Sequence, residues 1–297
     1  MELRYLKTFH TIATLGSFYR AAEVLGYAQS TVSDQIKTLE TDLQVTLFKR
    51  AGNQLSLTPA GERLFQYAPR VLNMETEIRQ EVGEVSALSG TISMRVPETV
   101  SLLLLPLVQE FHKQFPRVNF AFNACTFFGI EEELHTGTID LAFLLADEYK
   151  SPGVNVEALM DIPLTAVAAA GHRLAAMPFI ELAELRAEPF LIPTSDCNYI
   201  QMLEKILTAE KMELPQIWRM NTLSAIKQIL ASGTGVSVLP RMAVQPELDA
   251  GVLVALNWRP LQAKLLMIRQ KNAWQPPVLE AFMAEVRKLG AAAVTPV

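Results

Sequence analysis

Between Ser17 and Glu40 the apolar positions fall into two short helical sets separated by Gly26. Ala21, Ala22 and Leu25 form one apolar side, with small residues where a second helix must cross closely. Gly26 closes that helix by accepting a backbone conformation that a Cβ resists. Val32, Ile36 and Leu39 then recur at i, i+4, i+7, the buried stripe of a second helix. Ser30, Asp34 and Lys37 point away from that stripe, with Ser33 on the flank and Gln29 at the N-terminal end. From Leu47 to Thr58 helical spacing gives way to alternation at Leu55 and Leu57 around Ala51-Gly-Asn-Gln54, which signals a β-hairpin. Two helices around a glycine turn, followed by a hairpin, predict a winged helix-turn-helix with the second helix facing a major groove.

Thr58-Pro59 supplies an N-cap and a proline at the first helical position, with Glu62 in the first turn, so a long helix is expected from here to Ser89-Gly90. Along it Leu64, Ala68, Val71, Glu75, Ile78, Val82 and Val85 alternate at spacings of four and three, a heptad seam interrupted only by Glu75. Pro69 removes one hydrogen bond inside this helix and tends to kink it. From Thr91 the period changes. Ile92–Val96, Val118–Phe122 and Ile139–Leu145 read as strands, separated by helices at Leu102–Phe115 and Gly129–Thr136, so this part of the sheet should be parallel. Further strands are expected at Leu164–Ala170, Phe190–Pro193, Ile217–Met220, Val236–Leu239 and Leu265–Ile268, with helices at Tyr199–Lys211, Leu223–Ala231 and Pro277–Leu289. The expected fold is α/β: a winged helix-turn-helix at residues 1–58, a linker and dimerisation helix at 59–89, and a two-subdomain effector-binding domain at 90–297. Subdomain I takes 90–161 and 269–297, and subdomain II takes 162–268, the two being joined by crossing segments.

Ser33 to Glu40, Leu47 to Arg50 and Leu57 to Glu62 resemble the LysR-type transcriptional regulators in order and spacing. In that family the DNA-binding segment runs through Ala-Ala-x-x-Leu, Ser-x-x-Ile-x-x-Leu-Glu, Leu-Phe-x-Arg and Leu-Thr-x-x-Gly-Glu. The C-terminal two-thirds is similar to the LysR-type effector domain, which shares the fold of periplasmic solute-binding proteins. Leu104-Leu-Pro106, Gly137-Thr-Ile-Asp-Leu141 and the run from Ala231 to Pro240 carry that similarity. The resemblance implies a transcriptional regulator that binds double-stranded DNA at an inverted repeat, senses a small-molecule effector, and works as a homodimer or a dimer of dimers in contact with RNA polymerase. β-Branched residues at Val71, Ile78 and Val85 favour parallel pairing of the linker helices, whereas family likeness favours antiparallel pairing; either arrangement dimerises.

On outward position, Gln29, Ser30 and Ser33 are expected to read base edges, while Thr31, Lys37 and Arg50 hold or flank phosphates. Position 34 is commonly basic or an amide in the family, and here it is Asp34, an acceptor that phosphate repels. Asp34 can accept from a cytosine amino group or pair with Lys37 three residues on, and the pair is favoured because such neighbours on a helix usually meet.

At 297 residues, half of them apolar, the chain fits two or three globular domains. Its net charge of −5 argues against a nucleic-acid binder until it is divided. Residues 1–60 carry six basic side chains against five acidic ones, so the head is +1 and the remainder −6. A head so weakly basic needs a second copy to hold DNA specifically. Two cysteines and four scattered histidines offer no disulfide framework and no metal cluster, and no cofactor motif is present. The N-terminus lacks a signal-peptide layout and the longest apolar run, Val100 to Val108, is broken by Ser101 and Pro106, so a cytoplasmic protein without a membrane span is expected. No Gly-x-Ser-x-Gly elbow, phosphate loop or His-Glu-x-x-His points to an enzyme.

Effectors in open α/β sheets collect where strands end and helices begin. Four such junctions carry polar residues: Glu98-Thr99 with Ser101, Thr126, Thr194 to Asn198, and Asn221-Thr222. Each could equally be a plain helix cap. Thr99, Ser101, Thr126, Asn198 and Thr222 are the expected effector contacts, and Phe127 and Phe128 suggest a ligand with an apolar or aromatic body and a polar end. Two other readings are open. Cys197 at a helix start could be a redox sensor, as in peroxide-sensing members that use a cysteine pair, with Cys125 the one partner here. Alternatively, residues 91–297 could form a solute-binding module with no role in transcription, which leaves residues 1–60 unexplained.

Overall fold

A computed structural model of the chain describes residues 1–51, 54–82, 88–124, 129–194, 198–211, 216–273 and 275–292. The chain divides into two units, taken here in turn. The first contains α1 (Leu3–Leu15), α2 (Phe18–Leu25), α3 (Gln29–Leu43), β1 (Phe48–Ala51), β2 (Gln54–Leu57) and α4 (Pro59–Val82). Leu6, Phe9 and Ile12 of α1 are fully buried with Ala21 and Ala22 of α2, Val32, Ile36 and Leu39 of α3, and Ala68 of α4. α1 adds a helix ahead of the pair expected from Ser17 onward, and its signal in the sequence is the spacing of three between Leu6, Phe9 and Ile12.

The turn between α2 and α3 forms as expected: Gly26 adopts φ +69° and its N–H returns to the carbonyls of Ala22 and Glu23. β1 and β2 pair antiparallel with Phe48 opposite Leu57. The Phe48 ring lies 5.3 Å from Phe9 and 5.5 Å from Phe18, which seats the wing on α1 and α2. The Thr58 hydroxyl accepts from Gly61 N at 3.0 Å and donates to Thr46 O at 2.6 Å, capping α4 and tying it to the wing. α4 then runs on through Pro69. The expected single seam from Leu64 to Val85 is divided in the structure. Leu64, Ala68 and Val71 pack into their own unit, because α1 already offers them an apolar surface, whereas Ile78 is 55% exposed. Val85 lies outside the described residues.

The second unit opens with β3 (Gly90–Val96), α5 (Glu98–Gln114), β4 (Val118–Ala124), α6 (Ile130–Thr136, whose last two residues group with the first unit) and β5 (Leu141–Ala146). β3 pairs in parallel with both β4 and β5, as the β-α-β-α-β alternation anticipated. β6 follows as one strand, Val154–Ala169, more than twice as long as the segment expected at Leu164–Ala170. After a 3₁₀ turn (Arg173–Ala176) come α7 (Leu182–Leu185), β7 (Phe190–Pro193), α8 (Asn198–Ala209), β8 (Ile217–Met220) and α9 (Leu223–Ala231). The unit ends with β9 (Ser237–Pro240), α10 (Arg241–Asp249), β10 (Leu253–Ala255), β11 (Leu261–Gln270) and α11 (Pro277–Ala292). α7, α10 and β10 were not foreseen.

β6 and β11 are the crossing segments. β6 pairs antiparallel with β11 from Val154 to Leu164, then with β9 and finally with β10, so a single strand belongs to both halves of the unit. The far edge of β11 pairs with β5. The resulting order is β10-β6-β11-β5-β3-β4, and β7 pairs in parallel with β8 beside it. α11 returns to the first half, where the Phe282 ring stands 5.4 Å from Phe111 and 5.2 Å from Phe120.

Candidate nucleic-acid interface and ligand cleft

α3 buries Val32, Gln35, Ile36 and Leu39 and leaves Gln29, Ser30, Thr31, Asp34 and Lys37 exposed, with Ser33 half-buried at the edge. Its N-cap, Ala28, offers no side-chain hydrogen bond. The first turn of α3 therefore presents its own N–H groups beside three exposed polar side chains, a combination suited to a DNA phosphate and neighbouring base edges. Arg50 stands on β1 opposite Leu55, its side chain outside the described residues. The favoured Asp34–Lys37 pair does not form: both side chains are exposed and no ion pair joins them. In water an i, i+3 pair gains only a few tenths of a kcal/mol, about what holding two side chains in place costs.

Three hydrogen-bond sets hold this surface. Thr8 Oγ1 donates to Gln35 Oε1 at 2.6 Å inside the core, joining α1 to α3. Glu40 Oε1 accepts from Leu47 N at 2.6 Å and Phe48 N at 3.4 Å, joining the end of α3 to the first wing strand. Thr58 joins the wing to α4. Neither Gln35 nor the role of Glu40 was anticipated, because polar residues read as surface until the packing is known. Nearby, His10 of α1 stacks on Phe65 of α4 with centroids 5.1 Å apart, and burial holds its imidazole pKa below the ordinary 6.5.

In the second unit, β3, β7 and β8 end at the starts of α5, α8 and α9. Thr99 is fully enclosed by protein, and Ser101 turns its hydroxyl back to Pro97 O at 3.2 Å. Thr222 Oγ1 accepts from Ala225 N at 3.2 Å and so acts as the N-cap of α9, the plainer of its two expected roles. Thr194 Oγ1 donates to Asn221 Oδ1 at 3.0 Å, linking the ends of β7 and β8. Asn198 opens α8, its side chain outside the described residues; Cys125, Thr126, Phe127, Phe128 and Cys197 also lie outside them.

Side-chain hydrogen bonds reach between the halves of this unit. Glu98 Oε2 of α5 accepts from Leu223 N at 3.0 Å, placing a carboxylate on the N-terminus of α9. Lys205 of α8 donates to Asp147, just after β5, at 2.7 Å, and that hydrogen bond holds the Asp147 carboxyl below its usual pKa. Arg95 on β3 grips Glu133 of α6 and donates to Ala124 O, fixing the end of β4 immediately before residue 125. No group of His, Cys, Asp and Glu among the described residues could hold a metal ion, and no helix among them is long and apolar enough to cross a membrane.

Residues 3–62 match the family described as bacterial regulatory helix-turn-helix protein, lysR family, and residues 86–291 match the LysR substrate binding domain. The HTH-type transcriptional regulator YwqM of Bacillus subtilis (strain 168) is 31% identical over 293 residues, covering 97% of this chain and 99% of its own. GltR, an HTH-type transcriptional regulator of the same strain, is 29% identical over 292 residues, covering 97% of this chain and 96% of its own. In fold the chain is similar to full-length OxyR of Pseudomonas aeruginosa, with a TM-score of 0.73 at 24% identity over 97% of this chain and 95% of that one. It is also similar to full-length CbnR complexed with its target DNA, with a TM-score of 0.69 at 24% identity over 97% and 99% of the two chains. Helix-turn-helix and substrate-binding matches together set aside the reading of a solute-binding module alone.

Proposed function

The chain belongs to the LysR-type transcriptional regulators, and from that premise we propose that α3 enters the major groove with Gln29, Ser30 and Ser33 on base edges and Thr31, Lys37 and Arg50 at the phosphates. The observation that carries this is the division of α3 into a buried apolar stripe and an exposed polar face that begins at a helix N-terminus without a side-chain cap. Asp34, released from Lys37, is available to accept from a cytosine amino group. A head of charge +1 holds a specific site through two copies, so the protein binds an inverted repeat as a homodimer or a dimer of dimers in the cytoplasm. The exposed part of α4 around Ile78 supports pairing through the linker.

The effector lies between the halves of the second unit, near Thr99, Ser101, Thr126, Asn198 and Thr222. The meeting of the α5 and α9 N-termini, where Glu98 Oε2 accepts from Leu223 N, supports this position. A bound molecule acts by favouring one arrangement of the halves over another and so changing transcription. The test is selection of duplexes from a random-sequence library by the full chain, followed by Gln29→Ala and Ser33→Ala. Each should cost about 1–3 kcal/mol on the selected duplex and much less on random DNA. Equal losses on both would remove the base-reading role.

A further inference from the structure

Among the described residues Thr8, Gln35, Thr99 and Ser237 are buried polar ones, and Thr8 and Gln35 meet each other inside the apolar core of the first unit. Thr8 is 1% exposed and Gln35 is 9% exposed, and around them lie Leu6, Phe9, Ile12, Val32, Ile36 and Leu39. On the helical wheel Val32, Ile36 and Leu39 centre the buried stripe of α3, and Gln35 sits about 60° to one side of that centre. Apolar contacts along the stripe hold α3 against α1 but set its rotation only loosely, because dispersion and hydrophobic burial are not directional. A hydrogen bond of 2.6 Å placed off-centre is directional and resists rotation.

We propose that the Thr8–Gln35 pair positions the recognition helix, setting the angle at which Gln29, Ser30 and Ser33 meet the bases. Side-chain tips lie about 5 Å from a helix axis, so a rotation of about 20° moves them by about 2 Å. Base-edge hydrogen bonds tolerate only a few tenths of an ångström. Phosphate contacts through long, mobile side chains tolerate more, so loss of the pair removes sequence preference before it removes affinity for DNA. Both are positioning residues: neither reaches the DNA-facing side of α3. This role rests on the assignment of α3 as the recognition helix.

The experiment selects duplexes from a random-sequence library with the full chain, then compares affinity for the enriched duplex with affinity for sheared heterologous DNA. The double variant Thr8→Val with Gln35→Met replaces both partners with apolar groups of similar shape, a change that leaves stability nearly unaltered. It should melt as the native protein does and bind heterologous DNA equally, while its preference for the enriched duplex falls roughly three- to tenfold. Thr8→Ser, which keeps the hydroxyl, should restore the native preference. If the double variant fails to fold, Thr8→Val alone carries the comparison, with the same fall expected. A variant that retains the native preference overturns the positioning role while leaving the recognition helix in place. A native pool with no enriched sequence removes the recognition-helix assignment and this proposal with it.

Discussion

Gly61→Ala measures how closely the wing and the linker helix are forced together. A Cβ at this position would stand 2.1 Å from Leu47 O and 3.0 Å from Leu57 Cδ2. A carbon and a carbonyl oxygen ordinarily approach to about 3.3 Å, so α4 must retreat by about 1 Å. Leu47 O cannot give way cheaply, because it already accepts from Thr58 N at 2.9 Å. Overpacking of this kind costs about 1–3 kcal/mol, and loss of the Thr58 bond adds about 1 kcal/mol, so the first unit should lose about 2–4 kcal/mol. Urea titration of the full chain, read by hydrogen exchange at backbone amides of residues 1–82, isolates that unit. Gly153→Ala, in the second unit and read at that unit's amides, is the control: its added Cβ meets nothing within 4 Å, and the change should stay within about 0.5 kcal/mol. A Gly61→Ala protein as stable as the control would refute the reasoning, since the clash would then have been absorbed without cost.

His10, buried on Phe65 with a lowered pKa, favours a fold in which it is neutral. Its contribution is therefore full above pH 6.5, the unfolded value, and is lost as pH falls from there through the folded value. Unfolding of the first unit between pH 7.5 and 5 should show this loss, and His10→Phe should flatten it; identical slopes in both proteins would exclude His10 as the source. Ile78→Glu should weaken self-association about tenfold or more and reduce binding to the selected duplex, as read by sedimentation, because charges would enter a dry interface. An unchanged oligomer would move the seam elsewhere. Glu98→Ala should speed exchange of the Leu223 amide roughly three- to tenfold, while Glu98→Gln, which keeps an acceptor, should change it less. Equal exchange in all three proteins would mean that the contact between α5 and α9 does not hold the Leu223 amide closed.

What the sequence determined by itself is what depends on neighbours within a turn or two. Gly26 and the stripe Val32, Ile36 and Leu39 specify a helix-turn-helix because helix periodicity and a left-handed turn are local matters. The wing hairpin and the cap at Thr58 were legible for the same reason, and the parallel β3, β4 and β5 because a β-α-β-α-β alternation leaves few ways to connect the strands. Tertiary structure decided the distant partners that no alternation of strand and helix specifies. β6 is one strand of 16 residues because β11, about a hundred positions later, pairs along it; its first half, mixed in polarity, carries no period of its own. The linker seam divided because Leu64, Ala68 and Val71 packed against the core of their own unit, and Gln35 went inside because Thr8 waited there, 27 residues away. Of the expected effector contacts, Ser101 and Thr222 spend their hydroxyls on helix ends, while Glu98 crosses to α9. A side chain's hydrogen-bonding capacity is written in the sequence, but the partner that satisfies it is chosen by whatever the fold brings within 3 Å.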